Sequence, residues 1–494
     1  MEMEAWMDAH EQEMLDDLAA LVRIRSVAGQ GTGNSPFGKA CRQVLDVILQ
    51  MGEKYGFSVS DCDGYAGEIC WGGFAQAADC GSVDKKPDAF EDFGVWGHLD
   101  VVPEGNGWKY PPYELTREGD FLIGRGVQDN KGPVIAVLYA LRFLKESGWK
   151  PQKRFRLIFG CDEEQGMSDV EYFLAHYPAP AFSFVADCGF PVCRGEKGML
   201  SLEIGKKLQS GKIRRMRSGS AWNIVPGEAW AEIFAEGKER LVSAAGVSGH
   251  AAFPEGTVHA AGELCRKLLE LPLCAEEQEW ISFLEKVCQD GWGTGLGIAC
   301  KDEESGRLTC NPGILEMADG VWRVCFDIRY PVTISARDLL KEVEQTAERY
   351  GFTWKVRKNA PPFCVPAQHP LVERLMEVYN REQKDGKQPY IMGGGTYAKK
   401  IPRAVGFGPG LDQHLERLGF SGSRGNCHSV DEAQSLTNLK KAVKIYANAF
   451  QVLENEKRRN QTYENNCTWK EQNGSIGNRT GLYASDRIEG KKGG

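Results

Sequence analysis

The chain has 494 residues, 42% of them hydrophobic and 26% charged, with a formal net charge of -8. That length suits roughly two to four domains, each with its own packed core. The mild acidic excess shows no basic stripe for nucleic acid, and no window reaches the roughly eighteen uninterrupted apolar residues of a membrane span.

The first seventeen residues carry Glu2, Glu4, Asp8, Glu11, Glu13, Asp16 and Asp17 with no basic start and no apolar core. They do not read as a signal peptide, and a cytoplasmic protein is expected. The 16 cysteines are scattered, several inside apolar runs, and form no CxxC pair. They read as reduced, mostly buried thiols. Helical spacing appears at Leu15, Leu18, Leu21 and Val22, and again from Cys41 to Leu49. Residues 56 to 71 predict a strand hairpin, and 74 to 92 an exposed loop. Gly94 to Gly97 is a short buried strand. A helix starts just after Asp129, with Pro133 in its first turn, and runs to about Glu146. Residues 155 to 160 form a strand, 167 to 176 a helix and 182 to 186 a strand. Strands alternating with helices predict a mostly parallel sheet with helices on both faces.

The pattern changes after Arg194. Strands are predicted at 200 to 204, 229 to 236, 240 to 245, 322 to 332 and 352 to 357, and a helix at 258 to 269. Ser335 followed by Asp338 predicts a capping box opening a helix to about Tyr350. An α/β catalytic domain is therefore expected at 1–194 and 369–454, interrupted by an α+β lid domain at 195–368. Residues 437 to 454 make an amphipathic final helix. The polar tail, 455–494, is expected to be disordered.

Five short stretches carry the chemistry. They are Gly97-His98-Leu99-Asp100, Gly126-Val127-Gln128-Asp129-Asn130-Lys131-Gly132, Cys161-Asp162-Glu163-Glu164, Ala186-Asp187 and Asn426-Cys427-His428. Each alone could be a surface pair or a solvated charge run. The first four, however, place an acid or imidazole just past an apolar run, where an α/β sheet builds its ligand site. Together they read as one two-metal site. Mixed imidazole and carboxylate ligands suit zinc first, and also cobalt or manganese. Asp129, in a glycine-bounded turn, is the best candidate to bridge two ions. Asp100, two residues from His98, faces the same way and can orient its ring. Glu163 and Glu164 are adjacent and point apart, so one can bind metal while the other takes a proton from a metal-activated water.

At these residues the chain resembles the metallopeptidase family of carnosinase, aminoacylase, succinyl-diaminopimelate desuccinylase and glutamate-releasing carboxypeptidase. It is most similar there to the dipeptidase V (PepV) or Xaa-His dipeptidase type, in the wording of His98 to Trp108, Gly124 to Pro133 and Gly195 to Gly198. The resemblance covers roughly residues 10 to 454. It implies a zinc-peptidase fold, with His98, Asp129 and Asp187 around one metal and Asp129, Glu164 and His428 around the other. It implies Glu163 as general base and Asp100 as orienter. The family often has Asp where this chain has Asn130, joined to its predecessor by a cis peptide bond. Ser248-Gly249-His250 resembles the lid motif whose histidine stabilises the oxyanion. Asn223 resembles an asparagine near that site, Arg329 a binder of the substrate carboxylate, and Gly395 and Thr396 part of a glycine-rich substrate loop. Without that context His250 is an ordinary histidine, Arg329 a strand-end ion pair and the glycine run a plain turn. His10, His176, His259, His369 and His414 read as structural.

The sequence thus predicts a cytoplasmic hydrolase of dipeptides, acting on a small peptide, without nucleic acid or membrane, as a monomer or homodimer. An N-acyl-amino-acid deacylase on the same site is the nearer alternative. A non-catalytic binding protein is the remoter one, weakened by the completeness of the ligand set.

Overall fold

The strand Asp92–His98 is buried along its whole length, and that sets the architecture around it. Alternate residues of a strand face opposite ways. Trp96 packs against Phe173 at 5.0 Å on one face, while Phe155, on the neighbouring strand, packs against Phe450 at 5.1 Å on the other. A strand apolar on both faces belongs inside a helix-covered sheet. The computed structural model describes residues 2–73, 92–208, 211–235 and 237–454. The loop expected at 74 to 92, apart from Asp92, and the tail at 455–494 lie outside the described residues.

The larger sheet runs in the order Ser58–Cys62, Ala66–Gly72, Arg154–Gly160, Asp92–His98, Phe182–Val185, Ala404–Phe407, Val192–Glu196, Phe363–Cys364, with Tyr390–Met392 also beside Val192–Glu196. The four strands from Arg154–Gly160 to Ala404–Phe407 are parallel. Both flanks bring in antiparallel pairs, and Tyr390–Met392 joins Val192–Glu196 in parallel, so the sheet is mixed around a parallel centre. The helix Lys131–Glu146 is apolar nearly all round and almost wholly buried. It packs between Met3–Val22 and Leu436–Glu454. On the opposite face Ser168–His176 closes a second core through Val170 and Phe173. No helix among the described residues is long and apolar enough to cross a membrane.

The smaller sheet has seven antiparallel strands, ordered Lys238–Ala245, Glu228–Ala235, Ile213–Ser218, Thr309–Ala318, Val321–Tyr330, Gly198–Lys207, Thr353–Ala360. Gly198–Lys207 alternates buried and half-buried positions, as a sheet with one covered face should. The helices Ala260–Leu269, Ala275–Val287 and Ala336–Tyr350 supply that cover, around Trp280, Trp322 and Phe352. The chain leaves the larger sheet after Glu196 and returns to it at Phe363.

Two local expectations change. Ser335 caps its helix by accepting from Arg337 N, but Asp338 turns to Lys341 at 2.9 Å, so the reciprocal half of the box is missing. A complete box forms instead at Cys274 and Glu277, where the longer acid reaches back to the cap. The helix predicted from Val258 starts at Ala260, because His259 is its cap and Val258 pairs with Val247. His369 caps Pro370–Glu382 in the same way.

Trp96 is 1% exposed on the strand that ends in His98. Trp96→Ala should lower stability by about 3–5 kcal/mol, the usual range for emptying a large aromatic site. Urea unfolding of both proteins measures it; an unchanged midpoint would mean that Phe173 and Tyr397 collapse into the space.

Candidate metal centre

Three adjacent parallel strands end at one place. Asp92–His98 ends in His98, Arg154–Gly160 leads into Glu163 and Glu164, and Phe182–Val185 leads into Asp187. Asp129 arrives from the start of Lys131–Glu146, next to the cis Asp129–Asn130 bond. His428 arrives from a loop, with a φ of 61°. All five expected ligands and Glu163 are brought together.

The His98 ring is fully buried. Its Nδ1 lies 3.0 Å from the Asp100 carbonyl oxygen and 3.3 Å from Asp100 Oδ1. With Nδ1–H donated there, Nε2 is turned to Asp129 Oδ1 at 2.8 Å and Asp187 Oδ2 at 3.8 Å. The other oxygen of Asp129 lies 3.0 Å from His428 Nε2, which is also 3.1 Å from Glu164 Oε1. Asp129 therefore faces one imidazole with each oxygen. Ligand atoms of His98, Asp129 and Glu164 lie within 4.8 Å of one another, and so do those of His98, Glu163 and Asp187. By position alone, Glu163 fits a ligand as well as a base.

The electrostatics follow from this crowding. Burial, then the neighbouring Asp187, pushes Glu163 well above the usual carboxylate range. Burial, then Asp129, raises Glu164 and lifts Asp187 to about 7. Asp129 goes the other way: burial would raise it, but His428 and His98 hold it well below. Burial opposes protonation of His98, yet Asp100 and Asp129 outweigh it. Buried carboxylates this close repel one another unless cations stand among them. The donor set, imidazoles with hard oxygens, fits divalent metal ions.

The surrounding residues hold the backbone that carries the ligands. Glu432, fully buried, accepts at Oε1 from Gly126 N at 3.1 Å, Gln128 N at 2.9 Å and Asp129 N at 3.1 Å. Its other oxygen pairs with buried Arg125 at 2.7 Å. Asn130 accepts from His98 N at 3.2 Å and donates to Ala186 O at 2.7 Å and Asp187 Oδ1 at 3.0 Å. A carboxylate could not donate those two bonds, so the amide suits this position. Sequence reasoning missed Glu432; its one signal was an acid four residues past His428.

On the smaller sheet's side, Gly249–His250 pairs with Ile224–Val225, and Ala251 N donates to Asn223 O at 2.9 Å. Asn223 and His250 are therefore held as neighbours. His250 Nδ1 accepts from Ala252 N at 3.1 Å. Burial, then Arg329, lowers its pKa. Arg329 uses Nε and Nη2 to grip both oxygens of Asp327, at 2.6 and 2.8 Å, and points Nη1 at Gly393 O, 3.2 Å away, and at Met199 Sδ. Two glycines of the run, Gly393 and Gly395, sit close to neighbouring side chains, while Gly394 has ordinary room. A Cβ at Gly393 would lie 3.3 Å from the Ala252 Cβ, and one at Gly395 2.9 Å from Met199 Cε. Thr396 departs from expectation. It is 5% exposed, and its N–H and hydroxyl both donate to Glu196 Oε1, at 3.0 and 2.8 Å. Its side chain is committed inward, because the buried Glu196 needs donors more than a substrate would.

Residues 94–452 match the family model of Peptidase family M20/M25/M40. The Bacillus subtilis (strain 168) protein named "Putative dipeptidase YtjP" is 30% identical over 478 residues, covering 90% of this chain and 97% of that protein. SH1171 of Staphylococcus haemolyticus (strain JCSC1435), of the same description, is 27% identical, covering 90% of this chain and 97% of that one. Among solved structures, human carnosine dipeptidase 1 superposes with a TM-score of 0.54 at 15% identity, covering 92% and 98% of the two chains. The dipeptidase Dug1p of Saccharomyces cerevisiae gives 0.55 at 12% identity, covering 91% and 97%. At such identities these two show the shared fold.

Glu432→Ala should cost about 3–5 kcal/mol, because it strands a buried guanidinium. Chemical denaturation measures it, and a midpoint within error of wild type would show that Arg125 has found another partner.

Proposed function

This chain belongs to Peptidase family M20/M25/M40 and is a metallopeptidase; we propose that it hydrolyses dipeptides with two divalent metal ions. One observation carries the reading: Asp129 faces His98 with one oxygen and His428 with the other, as a carboxylate shared by two ions must. In this reading His98, Asp129 and Asp187 hold one ion, and Asp129, Glu164 and His428 the other. Zinc suits the set first, with cobalt and manganese also suited. Bound there, the pair supplies Lewis acidity for the scissile carbonyl and acidifies a water.

The residues of the chain do the rest. Glu163 takes the proton of the attacking water and passes it to the leaving amine. Asp100 fixes the His98 ring through Nδ1. His250 donates to the developing oxyanion. Its Nδ1 accepts a backbone N–H, so the proton of the neutral ring sits on Nε2, and a ring kept neutral is still a donor. Asn223 stands beside it. Residues 195–368 act as the lid, and Arg329, through Nη1, reads the free carboxylate. The names of the curated relatives, dipeptidases throughout those quoted, support the substrate class.

Metal dependence comes first. Chelation should abolish hydrolysis, and zinc, cobalt or manganese should restore it; full activity in a verified metal-free preparation would refute the site. Base and ligand separate next. Glu163→Gln should keep both metals and lose at least about a hundredfold in turnover, whereas Glu164→Gln should weaken metal binding. The opposite pattern would exchange their roles. For the substrate, free dipeptides should be cleaved well, tripeptides poorly and N-acetylated amino acids least. A panel in which acetylated amino acids outperform every free dipeptide would make the enzyme a deacylase.

A further inference from the structure

The turn that delivers Glu163 and Glu164 is held by its backbone, and two buried carboxylates hold it. Asp100 accepts from Glu163 N at 3.3 Å and Glu164 N at 3.1 Å. The step before, Cys161 N and Asp162 N, donates to Asp169 Oδ2 at 2.7 and 2.8 Å. Asp100 belongs to the His98 segment and has a role already. Asp169 does not. It lies in the first turn of Ser168–His176, 1% exposed, and belongs to neither group of candidate metal ligands.

Asp169 has a further partner from far along the chain. Tyr397, fully buried, donates its hydroxyl to the same Oδ2, 228 residues away in sequence. Oδ1 takes Val170 N at 2.7 Å. Burial pushes the Asp169 carboxyl up to about 7, and these donors pull against it. Gly160, the last residue of its strand, leaves the room: a Cβ there would overlap both Asp169 Oδ2 and the Tyr397 hydroxyl. The Tyr397 ring stands edge-on to the His98 ring, with centroids 6.3 Å apart. Tyr397 directly follows Thr396, so the glycine loop that meets Ala252 and Met199 is anchored to the turn that carries the two glutamates.

We propose that Asp169 and Tyr397 are positioning residues that aim Glu163 at the proton it moves, with Gly160 making space for their oxygens. The proposal rests on the reading of Glu163 as general base. Proton transfer demands alignment, and a misplacement of about 1 Å can cost about a hundredfold. A turn whose first two N–H groups lose their common acceptor can rotate while Asp100 still holds the next two. Glu163 N, nearer the released end and on the longer contact to Asp100 (3.3 Å against 3.1 Å at Glu164 N), would shift more than Glu164, so the base is misaimed first.

The test is a double-mutant cycle on the metal-loaded full-length enzyme with a dipeptide substrate. Tyr397→Phe keeps the buried ring and removes only the hydroxyl; Asp169→Asn keeps the shape and replaces one acceptor oxygen by a donor. Each is measured alone and combined with Glu163→Gln. Alone, Tyr397→Phe should lower kcat about tenfold and Asp169→Asn about a hundredfold, with KM within about twofold and metal content unchanged. In the Glu163→Gln background neither should lower kcat further by more than about twofold, because both act through the group already removed. Should Asp169→Asn fail to fold, Tyr397→Phe decides alone. The proposal is overturned if the losses repeat in full without Glu163, or if they appear in KM or metal content instead of kcat. A fully active Glu163→Gln enzyme overturns the base reading and this proposal with it; an impaired one with fully repeated losses overturns the positioning role only.

Discussion

Charge crowding is the constraint on which the rest of the structure depends. Asp129, Glu163, Glu164 and Asp187 converge with His98 and His428 at the ends of adjacent parallel strands. Carboxylates in such a place repel one another and resist burial. The fold answers with backbone, not with neutralising side chains close by. Glu432 collects the N–H groups of the Asp129 turn, and Asp169 and Asp100 collect those of the Glu163 turn. Buried Arg125 pairs with Glu432 and so stands a step behind the candidate ligands.

Most of the candidate ligands were legible in the sequence because they follow an apolar run that ends abruptly, His428 being the exception. His98, Glu163, Glu164 and Asp187 needed only that rule. The residues that hold them were not legible, for a physical reason. Glu432 meets the Asp129 turn across 303 residues, and Tyr397 meets Asp169 across 228. Neither pairing leaves a local period or spacing. Of the antiparallel flanks, the hairpin expected at 56 to 71 was legible, whereas the pairings with Arg154–Gly160 and around Val192–Glu196 were hidden for a similar cause, since they depend on long connections that composition does not record. Caps erred in detail: Asp338 is one methylene too short for its box, whereas Glu277 reaches.

The glycine run shows how a sequence signal can be right about place and incomplete about cause. Read alone, it offered a turn or a binding loop. In the fold it is a surface where two parts of the chain touch, with Ala252 on one side and Met199 on the other. Thr396, at its end, turns inward to Glu196, while Gly393 offers its carbonyl to Arg329. The loop is therefore a joint, and the same stretch continues into Tyr397 and the turn bearing the glutamates.

That joint also limits what Arg329 can do. An arginine that reads a carboxylate with both prongs of its fork gains geometric selectivity. Here the edge formed by Nε and Nη2 already holds Asp327. A carboxylate arriving while that pair persists meets the outer edge of the guanidinium, where Nη2 keeps one N–H and Nη1 already faces Gly393 O and Met199 Sδ.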